Sequence, residues 1–228
     1  MERWLKCPAD IFPGRDGYSS LQLRSDVAGA YSDLYTAVHA LGGILTTAGG
    51  KRSLSVIPNQ NQSKTSFHYI GRAFDMSLPT GMQDPEKDPY VILDVGDRLW
   101  DVYCKSTLSS DALMEKCRTY NITGGYTIID GTYNQNKKIL TKQVSGNMFS
   151  FTELAKTFGF ERIAARKSFF NGNNYVGAEW WHFQWETGLV PQTTTFGNEL
   201  LRTYTLKQCQ QFPYWESIKG ARFQAEWL

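Results

Sequence analysis

Apolar positions near the start of the chain predict one amphipathic helix. Over residues 26–41 they recur at three- and four-residue spacing, at Val27, Tyr31, Leu34, Val38 and Leu41. Ser25 precedes this stripe as a candidate N-cap, and Gly42 and Gly43 follow it as a stop signal. Residues 1–24 carry prolines and glycines without a clear period and are predicted to form loops.

Short apolar and aromatic runs predict strands, at residues 44–47, 73–78, 90–95, 99–104, 126–130 and 179–185. A second helix is predicted at 150–158, where Ser150 and Glu153 form an S-x-x-E capping box and Gly159 follows. Residues 197–210 are mixed and partly helical in character. Because helices and strands do not alternate regularly, the pattern favours an α+β fold, with a mainly antiparallel sheet packed against helices.

The length of 228 residues suits one domain spanning 1–228. Residues of about 80–145 carry little recognisable chemistry. This middle stretch is a candidate insertion that shapes a cleft.

Composition argues against two broad classes of partner. A net charge of +2, without a run of five like charges, does not form the basic stripe that nucleic-acid binding needs. No apolar stretch approaches the roughly 18 residues of a membrane helix, and no apolar segment follows Arg3 and Lys6 as in a secretory signal. The cysteines are widely spaced, which favours buried free thiols, although a Cys104–Cys117 bridge also fits the sequence.

Residues 66–75 form the first of two segments that carry chemistry, with the pattern S-x-H-x-x-G-x-A-x-D. His68 and Asp75 are both good zinc ligands. In a straight strand their side chains would face opposite sides, because side chains alternate. Gly71 permits a tight turn after which Asp75 can return to the face of His68.

The second segment is Glu179–Trp185, which contains an E-x-x-H pair. His182 would supply a third zinc ligand and Glu179 a general base. The segment has the aromatic content of a strand, so a bulge or twist at Trp180 and Trp181 is expected to bring the two side chains together. Three protein ligands leave one position for water, which fits a catalytic site with one Zn²⁺ per chain.

The two strings resemble those of the zinc peptidases that cut D-amino-acid-containing bonds in bacterial cell walls. That family includes D-alanyl-D-alanine carboxypeptidases and dipeptidases and the phage L-alanyl-D-glutamate endopeptidases, and the hedgehog signalling domain shares its fold. The resemblance covers roughly residues 26–78 and 150–186. It implies a hedgehog-like α+β fold with zinc at the sheet, bound by His68, Asp75 and His182, with Glu179 as base. The implied substrate is the stem peptide of peptidoglycan.

The resemblance also suggests further site residues. Family members carry a basic residue in a T-S-G-Y-R-S-like string before the first ligand, and residues 46–53 are similar but imperfect. Arg52 is the candidate for stabilising the oxyanion, with Lys51 as its substitute. Independently of the resemblance, the residues themselves suggest three substrate contacts. Ser66 can hydrogen-bond a ligand or substrate group or serve as a turn residue, Trp181 can wall the cleft or pack in the core, and Tyr175 lies in a Gly/Asn-rich loop that can line the site.

Two readings other than a wall peptidase fit the same strings. One is a zinc-bearing interaction module, and the other is a protease toxin that acts on a non-wall protein. Retention of Glu179 disfavours the module, because a structural zinc site needs no base. Which bond is cut stays open. The missing signal suggests delivery by a phage tail or injection apparatus, or alternatively a cytoplasmic dipeptidase.

Overall fold

A computed structural model describes residues 1–59, 62–84, 86–108, 118–124, 142–170 and 175–224. The strands are β1 (Trp4–Pro8), β2 (Ser20–Arg24), β3 (Ala73–Asp75), β4 (Tyr90–Gly96), β5 (Leu99–Lys105), β6 (Arg118–Gly124), β7 (Lys142–Ser150), β8 (Phe160–Arg162) and β9 (His182–Trp185). The α-helices are α1 (Ser25–Ala40), α2 (Pro79–Met82), α3 (Phe151–Thr157), α4 (Lys167–Phe170), α5 (Phe196–Leu201), α6 (Leu206–Gln210) and α7 (Trp215–Ile218). A 3-10 helix spans Tyr175–Ala178.

The described strands form antiparallel sheets. β1 pairs with β2, a three-stranded sheet has the order β3-β9-β8, and a four-stranded sheet has the order β4-β5-β7-β6. The predicted α+β class with antiparallel sheets is therefore confirmed. The candidate insertion of about 80–145 contains β4, β5 and β6, and β5 and β6 both pair with β7, which starts within this stretch and extends past its end.

Helix α1 confirms the predicted stripe, but its N-cap differs from the prediction. Ser25 is the first helical residue, and Arg24 occupies the cap position but its side chain makes no capping hydrogen bond. The Ser25 hydroxyl instead accepts from the backbone N–H of Arg3 at 3.0 Å. At the other end Gly42 has a φ of 70°, and the N–H of Gly43 donates to the Val38 carbonyl at 3.0 Å, which closes the helix as predicted.

The loop predicted over residues 1–24 is wrong, because β1 and β2 form an antiparallel pair there. Leu21 and Leu23 are buried on either side of the exposed Gln22. That alternation is the two-residue period of a half-buried strand. Gly14 and Gly17 lie between the two strands and interrupt neither of them.

The strand predicted at 44–47 is also wrong. Thr46 makes one isolated bridge to Asp10, and side chains satisfy the neighbouring backbone groups. The N–H of Leu45 donates to the Asp10 carboxylate at 2.6 Å, and that of Thr46 donates to the Tyr90 hydroxyl at 3.0 Å. Side-chain acceptors thus replace a strand ladder at this position.

The remaining predicted elements are confirmed in part. Strands β4 and β5 match the runs at 90–95 and 99–104, while β3 ends at Asp75, short of the predicted 78. Ser150 caps α3 by accepting from the N–H of Glu153 at 3.1 Å. The stretch 197–210 is divided into α5 and α6, and the strand predicted at 126–130 lies outside the described residues.

The main hydrophobic core lies between the three-stranded sheet and helices α1 and α3. Phe74 of β3 stacks on Phe183 of β9 with ring centroids 5.6 Å apart and meets Tyr31 of α1 edge-on at 5.1 Å. A second core joins the chain around residues 67–73 to helices α5 to α7. Packing against these helices therefore fixes the segment that carries His68.

Two further predictions concern helices and thiols. None of the described helices is long and apolar enough to cross a bilayer. Cys7 and Cys209 are free and buried, as expected. Cys104 is also buried, and Cys117 lies outside the described residues.

Candidate metal centre

The segment before β3 turns as its glycine predicts. The N–H of Tyr69 donates to the Ser66 carbonyl at 3.0 Å, and that of Arg72 donates to the Phe67 carbonyl at 3.0 Å. Gly71 has a φ of 71°, and a Cβ built there would lie 2.6 Å from a ring atom of Trp4. Only glycine suits both the backbone angle and the space. This turn allows Asp75 to return to the side of His68.

In the second segment, a turn at Glu179 replaces the bulge or twist expected at Trp180 and Trp181. Glu179 follows the 3-10 helix with a φ of 56°, and the N–H of His182 donates to its carbonyl at 3.0 Å. Strand β9 begins only at His182. His182 then lies directly opposite Asp75 in the β3–β9 ladder. Residues opposite one another place their side chains on the same face of a sheet.

These placements bring His68, Asp75 and His182 together as a group that can hold a metal ion. The Nε2 of His68 lies 3.2 Å from the Nδ1 of His182 and 3.2 Å from Asp75 Oδ2. The His182 Nδ1 lies 3.0 Å from Asp75 Oδ1. Tetrahedral ligands with bonds of about 2.0–2.1 Å are separated by about 3.3 Å, so the spacing of the three donors fits such an ion.

The ring of His68 is oriented by the backbone. Its Nδ1 forms a short hydrogen bond with the carbonyl of Gly50. Because a carbonyl only accepts, Nδ1 carries the proton and the lone pair of Nε2 faces the other two donors. A second partner of this kind is characteristic of metal-binding histidines.

The electrostatics of the group favour an ionised carboxylate. Burial alone would raise the pKa of Asp75, but His68 and His182 hold that pKa well below its usual range. Burial lowers the pKa of His182, while the hydrogen bond and charge of Asp75 outweigh this and raise it. Protons and a metal ion therefore compete for the same three donors.

The carboxylate of Glu179 is buried beside this group and is held by an arginine. The Nε of Arg166 donates to Glu179 Oε1 at 2.7 Å, and Glu179 is 6% exposed. The N–H of Arg166 donates to the Gly177 carbonyl at 2.7 Å, which ties its backbone to the 3-10 helix. The arginine and the glutamate therefore belong to one hydrogen-bonded unit.

A cleft of about 710 Å³ opens onto the group. Its described lining includes His68, Asp75, His182 and Glu179, together with the predicted residues Arg52, Ser66 and Trp181. A volume of this size is typical of small-ligand or short-peptide sites.

The predicted contact residues differ in their surroundings. The guanidinium of Arg52 lies 5.4 Å from the ring centroid of Tyr69, and the Arg52 N–H donates to the His68 carbonyl at 3.0 Å. Lys51 instead lies 4.4 Å from the Trp4 ring and is not among the described residues that line the cleft. Ser66 is a turn residue whose hydroxyl accepts weakly, at 3.4 Å, from the N–H of His68.

The remaining predicted contact residues are aromatic. Trp181 lines the cleft although it is 3% exposed, and it meets Trp180 edge-on with centroids 5.6 Å apart. Trp180 belongs to the main core. Tyr175 begins the 3-10 helix, and its side chain lies outside the described part of the structure.

Sequence reasoning missed two polar residues, one on β9 and one directly after it. Gln184 and Glu186 follow His182 at two-residue steps and line the cleft. Gln184 donates to Glu186 Oε1 at 2.7 Å. Burial, with a smaller contribution from Glu161, raises the pKa of Glu186 to about 7. The two-residue period from His182 was the signal that could have identified them.

Sequence reasoning also missed three arginines of the cleft, Arg98, Arg162 and Arg166. Each lies far along the chain from the first motif, so no local pattern reveals it. Arg162 donates to the Trp100 carbonyl at 2.8 Å and to Asp101. All three add cationic groups to the lining of the cleft, and Arg166 contacts Glu179 directly.

Comparison of the chain with protein-family models, curated proteins and solved structures finds no match. The functional argument therefore rests on the residues and on the geometry of the cleft.

Proposed function

We propose that this protein is a zinc-dependent peptidase that hydrolyses a peptide bond in the D-amino-acid-containing stem peptide of bacterial peptidoglycan. The observation that carries the proposal is the convergence of two imidazoles and a carboxylate in a cleft that also contains Glu179. Two nitrogens and one carboxylate oxygen form a donor set that suits zinc and leaves a position for a reactant. The wall substrate is supported by the resemblance of the two sequence strings.

When bound, zinc would polarise a substrate carbonyl and lower the pKa of an attacking water. The residues of the chain perform the remaining tasks. Glu179 accepts the proton of the water and delivers it to the nitrogen of the leaving amine. Its carboxylate is already oriented by the 2.7 Å bond from Arg166, which limits the reorganisation needed during the reaction.

Arg52 is the candidate for stabilising the negative charge that develops on the carbonyl oxygen. The backbone N–H of Arg52 donates a hydrogen bond to the His68 carbonyl, and its guanidinium lies over the Tyr69 ring. Arg52 also lines the cleft. Arginine remains charged and presents several donors, which suits an oxyanion. Trp181 forms an apolar wall that restricts water near the reacting groups.

The first experiment measures metal per chain by mass spectrometry in wild type, His182→Ala and His39→Ala. His39 is the remaining histidine of the chain and pairs with Asp10 at 3.0 Å, away from the cleft. We expect about one zinc in wild type and in the His39 variant and much less in the His182 variant. A wild type that takes up no zinc when zinc is supplied would refute the proposal.

The second experiment follows digestion of purified peptidoglycan by the masses of its products. Glu179→Gln should retain zinc and lose at least about 100-fold in hydrolysis, because it removes the base but keeps the shape. Glu161→Gln is the matched control, since Glu161 lines the same cleft but pairs with Lys156 at 3.6 Å. Zinc binding without hydrolysis of any peptide would favour an interaction module. Cleavage of non-wall proteins alone would favour a toxin.

A further inference from the structure

The β4–β5 hairpin ends in an unusual turn. Asp97 and Arg98 have φ values of 51° and 64°, and they connect Gly96 to Leu99, which pair across the hairpin. Two central residues with positive φ form the turn that best matches the twist of paired strands. Glycine and asparagine usually occupy such positions, so an arginine there is held at some conformational cost.

The tip of this hairpin is fastened to the chain beside the cleft. The N–H of Ala165 donates to the Arg98 carbonyl at 2.7 Å, and Arg98 Nη1 donates to the Ala165 carbonyl at 2.9 Å. Ala165 directly precedes Arg166, the residue that holds Glu179. Arg98 itself lines the cleft. The hairpin therefore places a guanidinium on the Glu179 side of the candidate metal centre.

The charge of the Arg98 guanidinium is not neutralised by an acidic side chain among the described residues. Arg162 pairs with Asp101 and Arg166 pairs with Glu179, whereas no acidic side chain among the described residues pairs with Arg98. A guanidinium has five N–H donors, and the bond to Ala165 uses one of them. The side chain is exposed and lines the cleft, so the remaining donors are available to a ligand in the planar arrangement that matches a carboxylate.

The wider charge balance of the cleft also favours an anion. Four arginines and four carboxylic side chains are present among its described lining residues. Two of those acids, Asp75 and Glu179, belong to the proposed metal and proton-transfer chemistry. A divalent ion would therefore leave the lining with an excess of positive charge, which attracts anionic substrates.

We propose that Arg98 is a specificity residue that binds a carboxylate of the substrate on the Glu179 side of the cleft. This inference rests on the proposed function and names one feature of its substrate, a free carboxyl group rather than a carboxamide. An exposed guanidinium acts mainly on binding and contributes modestly. Loss of the Arg98 guanidinium should therefore raise KM and leave kcat unchanged.

The test uses synthetic stem peptides in which each carboxyl group is replaced in turn by a carboxamide. In wild type, one of these replacements should raise KM by about fivefold, and added salt should reduce the difference. In Arg98→Gln the acid and amide peptides should have equal KM. Arg98→Lys should retain part of the preference because it keeps the charge. Arg3→Gln, which removes an exposed arginine outside the described lining of the cleft, is the matched control.

Measurements of peptide binding test this inference separately from the proposed hydrolytic function. Dissociation constants of the same peptides, measured by calorimetry on zinc-loaded Glu179→Gln, should show the same acid preference and lose it when Arg98→Gln is added. Unchanged ratios in both measurements would show that Arg98 only fastens the hairpin, which would overturn the inference. If wild type hydrolyses nothing, the proposed function fails, and the calorimetric ratios on wild type still decide whether Arg98 selects a carboxylate. Absence of peptide binding would overturn this inference as well.

Discussion

The buried carboxylate of Glu199 joins the segment of the candidate metal ligands to the C-terminal helices. Its Oε2 lies 2.8 Å from Arg24 Nη2 and 2.9 Å from Arg72 Nη1. Both arginine side chains are completely or almost completely buried, at 0% and 1% exposure. Arg72 lies between His68 and Asp75 in sequence, so this ion pair also supports the turn that carries these candidate ligands. Replacing Glu199 with glutamine removes the charge and keeps the shape.

The expected cost follows from the arginines left behind. Breaking a buried ion pair from one side costs roughly 3–5 kcal/mol, because an uncompensated charge stays buried. Here Arg24 retains Asp26 at 2.6 Å, and Arg72 retains the Trp185 carbonyl at 3.0 Å. We therefore expect Glu199→Gln to lower the free energy of unfolding by about 2–4 kcal/mol. For a chain of this length that corresponds to a fall in Tm of roughly 4–16 °C.

Urea unfolding followed by tryptophan fluorescence measures this free energy. Glu216→Gln is the matched control, because Glu216 is 77% exposed and pairs with Lys219 three residues later. The control should change stability by less than about 1 kcal/mol. If Glu199→Gln were no more destabilising than Glu216→Gln, the argument from buried charge would be wrong.

The pH dependence supplies a second check on Glu199. Burial alone would raise the pKa of Glu199, but Arg24 and Arg72 lower that pKa below its ordinary value of 4.5. Because the folded pKa is the lower one, the stabilisation is complete above the unfolded value and is lost as pH falls through the folded pKa. The stability difference between wild type and Glu199→Gln should thus be constant near pH ~7 and shrink below about pH 4.5. A difference that persists unchanged in acid would contradict this origin.

Three further outcomes are expected. Gly71→Ala should lower the free energy of unfolding in urea by about 2–4 kcal/mol, because residue 71 has a φ of 71° and the new Cβ would lie 2.6 Å from a Trp4 ring atom. Gly29→Ala is the control and should be neutral or stabilising, because the space at its Cβ is open. Arg166→Gln should lower kcat by about tenfold with zinc content unchanged, since it releases the carboxylate of Glu179; an unchanged kcat would remove Arg166 from any positioning role. Free zinc at about 100 times its dissociation constant should raise the unfolding free energy of wild type by about 2.7 kcal/mol and should not do so in His68→Ala, as thermal unfolding with and without a chelator would report.

The candidate metal group could be identified from the sequence because its signals are local. The residue types of His68, Asp75 and His182 and the turn at Gly71 depend on a few neighbouring positions. Helix α1 and the cap of α3 were predictable for the same reason, since periodicity and capping act within one or two turns. The N-terminal hairpin was missed because prolines and glycines obscured a short alternation at Leu21 and Leu23.

The arrangement of the cleft depends on contacts between distant parts of the chain. The sequence by itself determined which residues can ligate a metal and which can act as a base. Tertiary structure alone placed Asp75 opposite His182 in a ladder, turned Glu179 through a positive φ, and brought Arg166 to that carboxylate. It also brought Arg98 to the cleft from the tip of a hairpin. Strand register and hairpin docking are set by the packing of the whole core, so no local pattern encodes them.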